Sequence, residues 1–584
     1  MLHVPRRFCL FISLLVQGSL LLSNDPALAS EHDRAASASR PASASGPLGD
    51  ILRYISSGWD TLTRTTSRCE SLKDTKTEGE PVLYLPAEMA IPPAVTELQA
   101  HCAVRVEHLP SKIAGPAEID LSKIPTEGLL YLENPYVVLG GQFNEMYGWD
   151  SYFIIRGLLR DHRLELAKGM VENFFFEISH YGGVLNANRT YYLTRSQPPF
   201  LSSMIMAVYE AEKAAGTQNP SWLEQAYQFA VRDYDQWTHE PHRAGDTGLS
   251  RYYDHGDGPV PEIRGDPDHY YRGVAYYFLV HGGSHDEYLI QSRQEHPSPP
   301  AVGPGFPVYV CDPAAAGAGK TDCASEKQIA LTADFYKGDR SMRESGFDVT
   351  FRFGPFGAET HHYAAVCLNS LLYKTEKDLE EMSNLLGHRQ QARNWKAKAA
   401  ERQRRMVKYF WDESRGLFFD YNFVTRKRST YEYATTFYPL WAGLASKTQA
   451  RAIVHNLKIF EQPGGLAMSR MESQAQWDFP YGWAPIHLLA LEGMRRYEYR
   501  AEADRIAGKF LSTVLDSFKR EQNIREKYNM VARSSETSIV VGYAQNETGF
   551  GWTNAVFLEL LHTTPGVRAV LASNSRAPIR EEAP

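Results

Sequence analysis

Apolar side chains recur three and four residues apart along several long stretches of this 584-residue chain, a spacing that gives an α-helix one apolar face. Ala503, Ile506, Phe510 and Val514 mark one stretch, and Leu368, Leu371, Leu372, Leu379, Met382 and Leu386 mark another, which Gly387 stops. Pro485 opens a third, with Ile486, Leu489, Ala490 and Met494 on one face, because proline fits the first turn of a helix. Leu201 to Ala215 form a fourth, ended by Gly216. Strand signals are few and short, and the sequence shows no internal repeat. A mostly helical domain is therefore expected from about 85 to 565, with no linker inside it.

The ends read differently from this body. Arg6 and Arg7 precede an apolar run from Phe8 to Leu22, and Ala27-Leu28-Ala29 follows as a cleavage-like triplet, so residues 1–29 read as a secretory signal peptide. The mature protein is then expected in the periplasm or outside the cell. The apolar run is shorter than the ~17 residues of a membrane span, and no membrane partner is expected for the mature chain. Residues 30–84 are expected to be an Ala/Ser/Pro-rich tether and extension, and residues 566–584 an untied tail. Hydrophobic residues at 43% and charged residues at 22% allow the body a large core. The net charge of −7 becomes −8 when Arg6, Arg7 and Asp25 leave, which argues against nucleic acid as a partner. Five cysteines remain beyond the leader, with no metal-ligand spacing. Cys69 with Cys102 and Cys311 with Cys323 are the candidate bridges, and Cys367 reads as a buried thiol.

The loops between the helical stretches carry the chemistry. Gln476-Trp477-Asp478-Phe479-Pro480-Tyr481-Gly482-Trp483-Ala484-Pro485 packs two indoles, a carboxylate and a Pro/Gly turn directly ahead of a helix. Indole faces bury the apolar face of a pyranose, while carboxylates and amides take its hydroxyls. A Trp-rich buried turn with Asp478 as a local cap is the bland alternative. Gly140 to Tyr152 (GGQFNEMYGWDSY) and Asn186 to Phe200 (NANRTYYLTRSQPPF) have the same mixture of turn residues, aromatics and hydrogen-bonding groups. Three shorter segments follow: Glu344 to Asp348, Glu526 to Asn529, and Gly549 to Asn554. Taken singly, Asp348 and Glu526 have the ordinary roles of helix caps or surface partners.

Taken in order, these segments resemble the trehalase family of glycoside hydrolases, its bacterial periplasmic type in particular. The first loop looks like the family's first signature, and QWDFPYGWAP matches its second. The resemblance covers roughly residues 85 to 562 and implies an all-α fold, an (α/α)6 toroid of helical hairpins with long active-site loops at one end. It implies inverting hydrolysis of α,α-trehalose, with Asp348 as general acid and Glu526 as general base, and no metal or organic cofactor. Phe143, Trp149, Asp150, Asn186, Arg195, Gln197 and Gly346 match residues that hold the glucose whose bond is broken. Ser196, Glu262 and Trp477 complete the expected sugar contacts. The implied partner is a small disaccharide, and a monomer is expected.

Three positions depart from the family. Gln142 stands where the first signature has arginine, and Val260-Pro261-Glu262 stands where the family has Arg-Pro-Glu. A further family glutamate ahead of Gly549 finds no match, with Gly542 or Tyr543 near its place. All three belong to the leaving-sugar side. A charged hydrogen bond contributes ~1.5 to 3 kcal/mol, so losing two arginines without replacement weakens transition-state binding by about 3 to 6 kcal/mol. Arg264 and Arg343 are the candidates to reach in from other backbone positions. Three readings follow: an exported trehalase, an inverting α-glucosidase with another leaving group, and a sugar-binding protein without chemistry. The joint presence of Asp348 and Glu526 weighs against the last.

Overall fold

The computed structural model describes residues 46–73, 79–263, 267–281, 288–291, 307–311 and 326–574. Twelve helices build the body: α1 (Pro47–Leu62), α2 (Gly148–Arg160), α3 (Leu164–His180), α4 (Leu201–Ala215), α5 (Pro220–Thr238), α6 (Val366–Leu385), α7 (Arg389–Phe410), α8 (Tyr438–Trp441), α9 (Lys447–His455), α10 (Ala484–Arg496), α11 (Arg500–Glu521) and α12 (Gly551–Thr563). The even-numbered helices pack each on the next, and α12 packs back on α2, which closes a ring of six. The odd-numbered helices alternate with them in sequence as an outer layer, and α1 completes it by lying on α11 and α12. The fold is an (α/α)6 barrel.

Burial separates the two layers. Gly148 to Leu158 are buried except at Arg156, Ala484 to Met494 except at Glu492, and Gly551 to Leu561 throughout, so these inner helices are covered on every side. The outer α11 buries one stripe instead, including Ala503, Ile506, Phe510 and Val514. Glycine stops two of the helices where the sequence predicts, since Gly216 and Gly387 take φ of 73° and 79°.

Seven short sheets lie among the described residues, three of them three-stranded. Val82–Leu85 lies between Arg105–His108 and Leu129–Leu130 in a parallel three-stranded sheet. Glu326–Leu331 lies between Leu289–Gln291 and Pro307–Cys311 in an antiparallel one. Helices Pro267–Val280 and Ala333–Glu344 belong with the second sheet, through a separate small core that includes Val274, Phe278, Phe335 and Met342.

Two boundaries move. The body begins by Pro47 and not at 85, because Leu48, Ile51, Ile55 and Trp59 form an apolar stripe that is fully buried. A further helix, Pro565–Asn574, carries the fold past 565. The signal-peptide residues, Arg264 and Cys323 lie outside the described residues, and with them the proposed bridge from Cys311. Cys69 and Cys102 form a disulfide, and Cys367 is a buried free thiol. No helix among the described residues is long and apolar enough to cross a membrane.

Candidate active site

The inner helices α2, α10 and α12 begin at the same end of the barrel, each directly after one of the aromatic loops, and their first turns border a cavity of about 320 Å³. That volume is at the small end for ligand sites and suits a disaccharide-sized molecule. Gln142, Phe143, Trp149, Asp150, Asn186, Arg195, Gln197, Glu262, Gly346, Asp348, Trp477 and Glu526 all line it. Ser196 does not. Along its irregular segment alternate side chains face opposite ways, and the Ser196 hydroxyl donates to the Val184 carbonyl at 2.5 Å, away from the cavity.

Four indoles make the inner wall. Trp477 and Trp483 stack at 3.8 Å with 4° between their planes, and Trp552 stands edge-on to both and to Trp149. Gly346 is required beside them: its φ is 75°, and a Cβ there would come within 2.9 Å of the Trp149 ring. Asp478 is not a sugar ligand. It is buried behind the wall, where it accepts from Thr350 Oγ1 at 2.9 Å, the Phe351 amide at 2.9 Å and Ser473 Oγ at 2.6 Å, and so anchors the segment just after Asp348.

Asp348 follows helix Ala333–Glu344 through the Gly346 turn. Burial pushes its carboxyl up to about 7, with the Glu262 charge adding to the rise and the Arg343 guanidinium, 3.6 Å from Oδ2, opposing it. Glu526 sits opposite in environment, accepting from the Lys527 ammonium at 2.9 Å. Asp150, in the first turn of α2, is held well above its ordinary range by burial, and the charges of Glu526 and Asp348 raise it further.

The cavity is lined by two arginines, Arg195 and Arg343. Val260 is buried off the cavity, with its amide donating to Tyr271 Oη at 2.9 Å, whereas Arg343 lines the cavity from another backbone position. Arg343 Nη1 donates to Tyr543 Oη at 2.7 Å, and Nε lies 3.7 Å from Glu262 Oε1. Arg195 Nη2 donates to the same Glu262 oxygen at 2.7 Å. Burial raises the Glu262 carboxyl, but Arg195 and then Arg343 outweigh it and hold the group below its ordinary value. Arg195 Nε and Nη1 and Glu262 Oε2 are buried and make no hydrogen bond among the described residues, which leaves them open to sugar hydroxyls.

Glu547 is the residue that position-by-position reading missed. It lines the cavity and accepts from Gln142 Nε2 at 3.1 Å, and any side chain on Gly141 would collide with its carboxylate. Its signal was a lone glutamate two residues before Gly549. Burial, then the charge of Glu526, raises its carboxyl. Tyr543, Gln476, Trp483 and Trp552 also line the cavity. A cluster with metal-ligand chemistry, Asp334, His361 and His362, lies elsewhere; His361 Nε2 stands 2.9 Å from Asp334 Oδ1 as a hydrogen-bonded pair.

The trehalase family model matches residues 64–287 and 321–565. The chain belongs to the trehalase family. Among similar proteins, the cytosolic neutral trehalase of Saccharomyces cerevisiae is 35% identical over 573 residues, covering 88% of this chain and 71% of its own length. That of Neurospora crassa is 32% identical and covers 93% and 77%. The solved structure of neutral trehalase Nth1 from Saccharomyces cerevisiae aligns with a TM-score of 0.71 at 33% identity, over 91% of this chain and 96% of that one. The trehalase-family chain is thus a glycoside hydrolase on an (α/α)6 barrel. Its expected export, periplasmic or secreted, is overturned by the same comparison, since these relatives are named cytosolic.

Proposed function

We propose that this enzyme hydrolyses α,α-trehalose to two molecules of glucose by a single inverting displacement, with Asp348 as general acid and Glu526 as general base. The observation that carries the reading is the contrast between the two carboxyl groups of one sugar-sized cavity. Asp348 is pushed up to about 7 and keeps its proton near neutrality, while Glu526 is paired with an ammonium. Inversion needs such a pair. Asp348 delivers its proton to the bridging oxygen as that bond breaks. Glu526 takes a proton from the water that attacks the anomeric carbon from the opposite face. Trp149 and Trp477 supply apolar surface for the ring that reacts, and Asn186, Arg195, Gln197 and Glu262 supply its hydrogen bonds. Arg343 and Glu547 stand on the leaving-sugar side.

Proton NMR of the early reaction tests both substrate and stereochemistry. Each trehalose should give one β-glucose, from attack by water, and one α-glucose, from the leaving group, before mutarotation mixes them. Two α-glucose molecules would mean retention. The competing reading, an α-glucosidase with another leaving group, is favoured by Gln142, a neutral amide on Glu547. Glucose release that is faster from another α-glucoside than from trehalose would select it.

A further inference from the structure

We propose that Lys527 and Gln476 act as one positioning unit that supplies the counter-charge in contact with Glu526 and fixes the place of its carboxylate relative to Asp348. The proposal rests on the reading of Glu526 as the base. The Lys527 side chain has 0% exposure. Its ammonium donates to Glu526 Oε2 at 2.9 Å, to Gln476 Oε1 at 3.1 Å and to the Gln545 carbonyl at 3.1 Å, with the Tyr543 carbonyl at 3.4 Å. An ammonium has three protons, so these acceptors fix its orientation. A buried ammonium is tolerated only with a counter-charge, and Glu526 supplies it.

Gln476 extends the contact to the other carboxyl. Its Nε2 donates to the backbone carbonyl of Asp348 while its Oε1 accepts from Lys527, so one amide touches the acid's own backbone and the base's cation. A second route returns by the leaving-sugar side: the Lys527 ammonium holds the Tyr543 backbone, the Tyr543 hydroxyl accepts from Arg343, and Arg343 faces Asp348. The strand Lys527–Asn529 pairs with Tyr481–Trp483, Trp483 opposite Lys527, which sets Lys527 in register with the segment that begins at Gln476. Two further carboxyl groups interact with Glu526, Asp150 on α2 and Glu547 on the loop ahead of α12, and burial raises both. Among the described residues, Lys527 is the cation in contact with the Glu526 carboxylate.

The test is the acid limb of kcat/KM against pH, where the base must lose its proton. Lys527→Met should lower kcat at least ~10-fold and move that limb up by about one to three pH units, the effect of losing an adjacent opposite charge. Lys527→Arg should leave the limb in place and restore part of the rate. Gln476→Leu keeps the ion pair, so kcat should fall with the limb unmoved, a split that general loosening of the fold does not produce. Circular dichroism verifies that each variant is folded. If Lys527→Met does not fold, Gln476→Glu places a second carboxylate on the same ammonium and should raise the limb. An unmoved limb in folded Lys527→Met, or in Gln476→Glu in its stead, overturns the proposal. Glu526→Gln separates the two layers of inference. Near-normal turnover there removes the base reading and this proposal with it, whereas lost turnover alongside an unmoved limb in Lys527→Met removes the positioning role alone.

Discussion

Replacing Asp348 with asparagine should abolish turnover and stabilise the protein, and the stabilisation should grow with pH. The carboxyl has its ordinary value of 3.8 in the unfolded chain and about 7 in the folded one. Below 3.8 both states are protonated and the group is neutral in its effect. Between 3.8 and 7 the unfolded chain releases a proton that the folded protein keeps, so folding stability falls as pH rises, and above 7 the whole penalty is present. Three pH units at 1.36 kcal/mol each give an upper limit of about 4 kcal/mol. The side chain is 24% exposed, so solvent screening reduces this to roughly 2 kcal/mol. Asparagine has no such titration. With an unfolding entropy of about 1.1 kcal/mol/K for a body of this size, the variant should melt ~2 °C above wild type at pH 8 and together with it at pH 4. Thermal scans at one fixed rate across that range supply the measurement, beside a kcat lowered at least ~100-fold. A difference in Tm that is the same at every pH, or largest at pH 4, would refute the claim that Asp348 is held protonated by burial.

Glu526→Gln should lower kcat at least ~100-fold with substrate affinity largely kept, as read by turnover beside calorimetric binding. Wild-type kcat/KM should fall as pH rises through about 7, since the acid must carry its proton, and Arg343→Met should shift that basic limb upward because Arg343 opposes the rise of the Asp348 carboxyl. Val260→Arg should bring no gain on trehalose and should destabilise the fold by ~2 kcal/mol or more, because the position is buried off the cavity and an unpaired guanidinium would lie there. Gly346→Ala should lower activity and cost about 1 to 3 kcal/mol in urea denaturation, from its φ of 75° and the Trp149 ring 2.9 Å from the added carbon.

The helical layer was legible because burial imposes a period on the sequence. The spacing of Ala503, Ile506, Phe510 and Val514 is the buried stripe of α11, and Gly216 and Gly387 end their helices in the left-handed region. Helix α1 was hidden, although Leu48, Ile51, Ile55 and Trp59 have the same spacing, because a Ser- and Pro-rich stretch runs into it. The sheets were not placed for a different reason: strands of two to six residues are too short for a period-two pattern to stand out. Ser196 shows the limit of reading a motif as a block. Its neighbours Arg195 and Gln197 border the cavity, and its own hydroxyl turns to Val184.

The leaving-sugar side shows why a position-by-position comparison loses a charge that the fold keeps. What a sugar hydroxyl meets is a guanidinium at a point in space, and more than one backbone position can deliver it. Val260 could not, since its backbone lies against Tyr271; Arg343, in the last turn of a helix that leads to Asp348, brings one to the cavity. That placement ties two functions together. The group available to the leaving sugar is also the one that restrains the rise of the Asp348 carboxyl, and Tyr543, on its other side, belongs to the loop held by Lys527. On the proposed roles, binding at the leaving side and protonation of the leaving oxygen share Arg343. A substitution at Arg343 should change KM and the basic limb together, whereas a contact that only binds sugar would move KM alone.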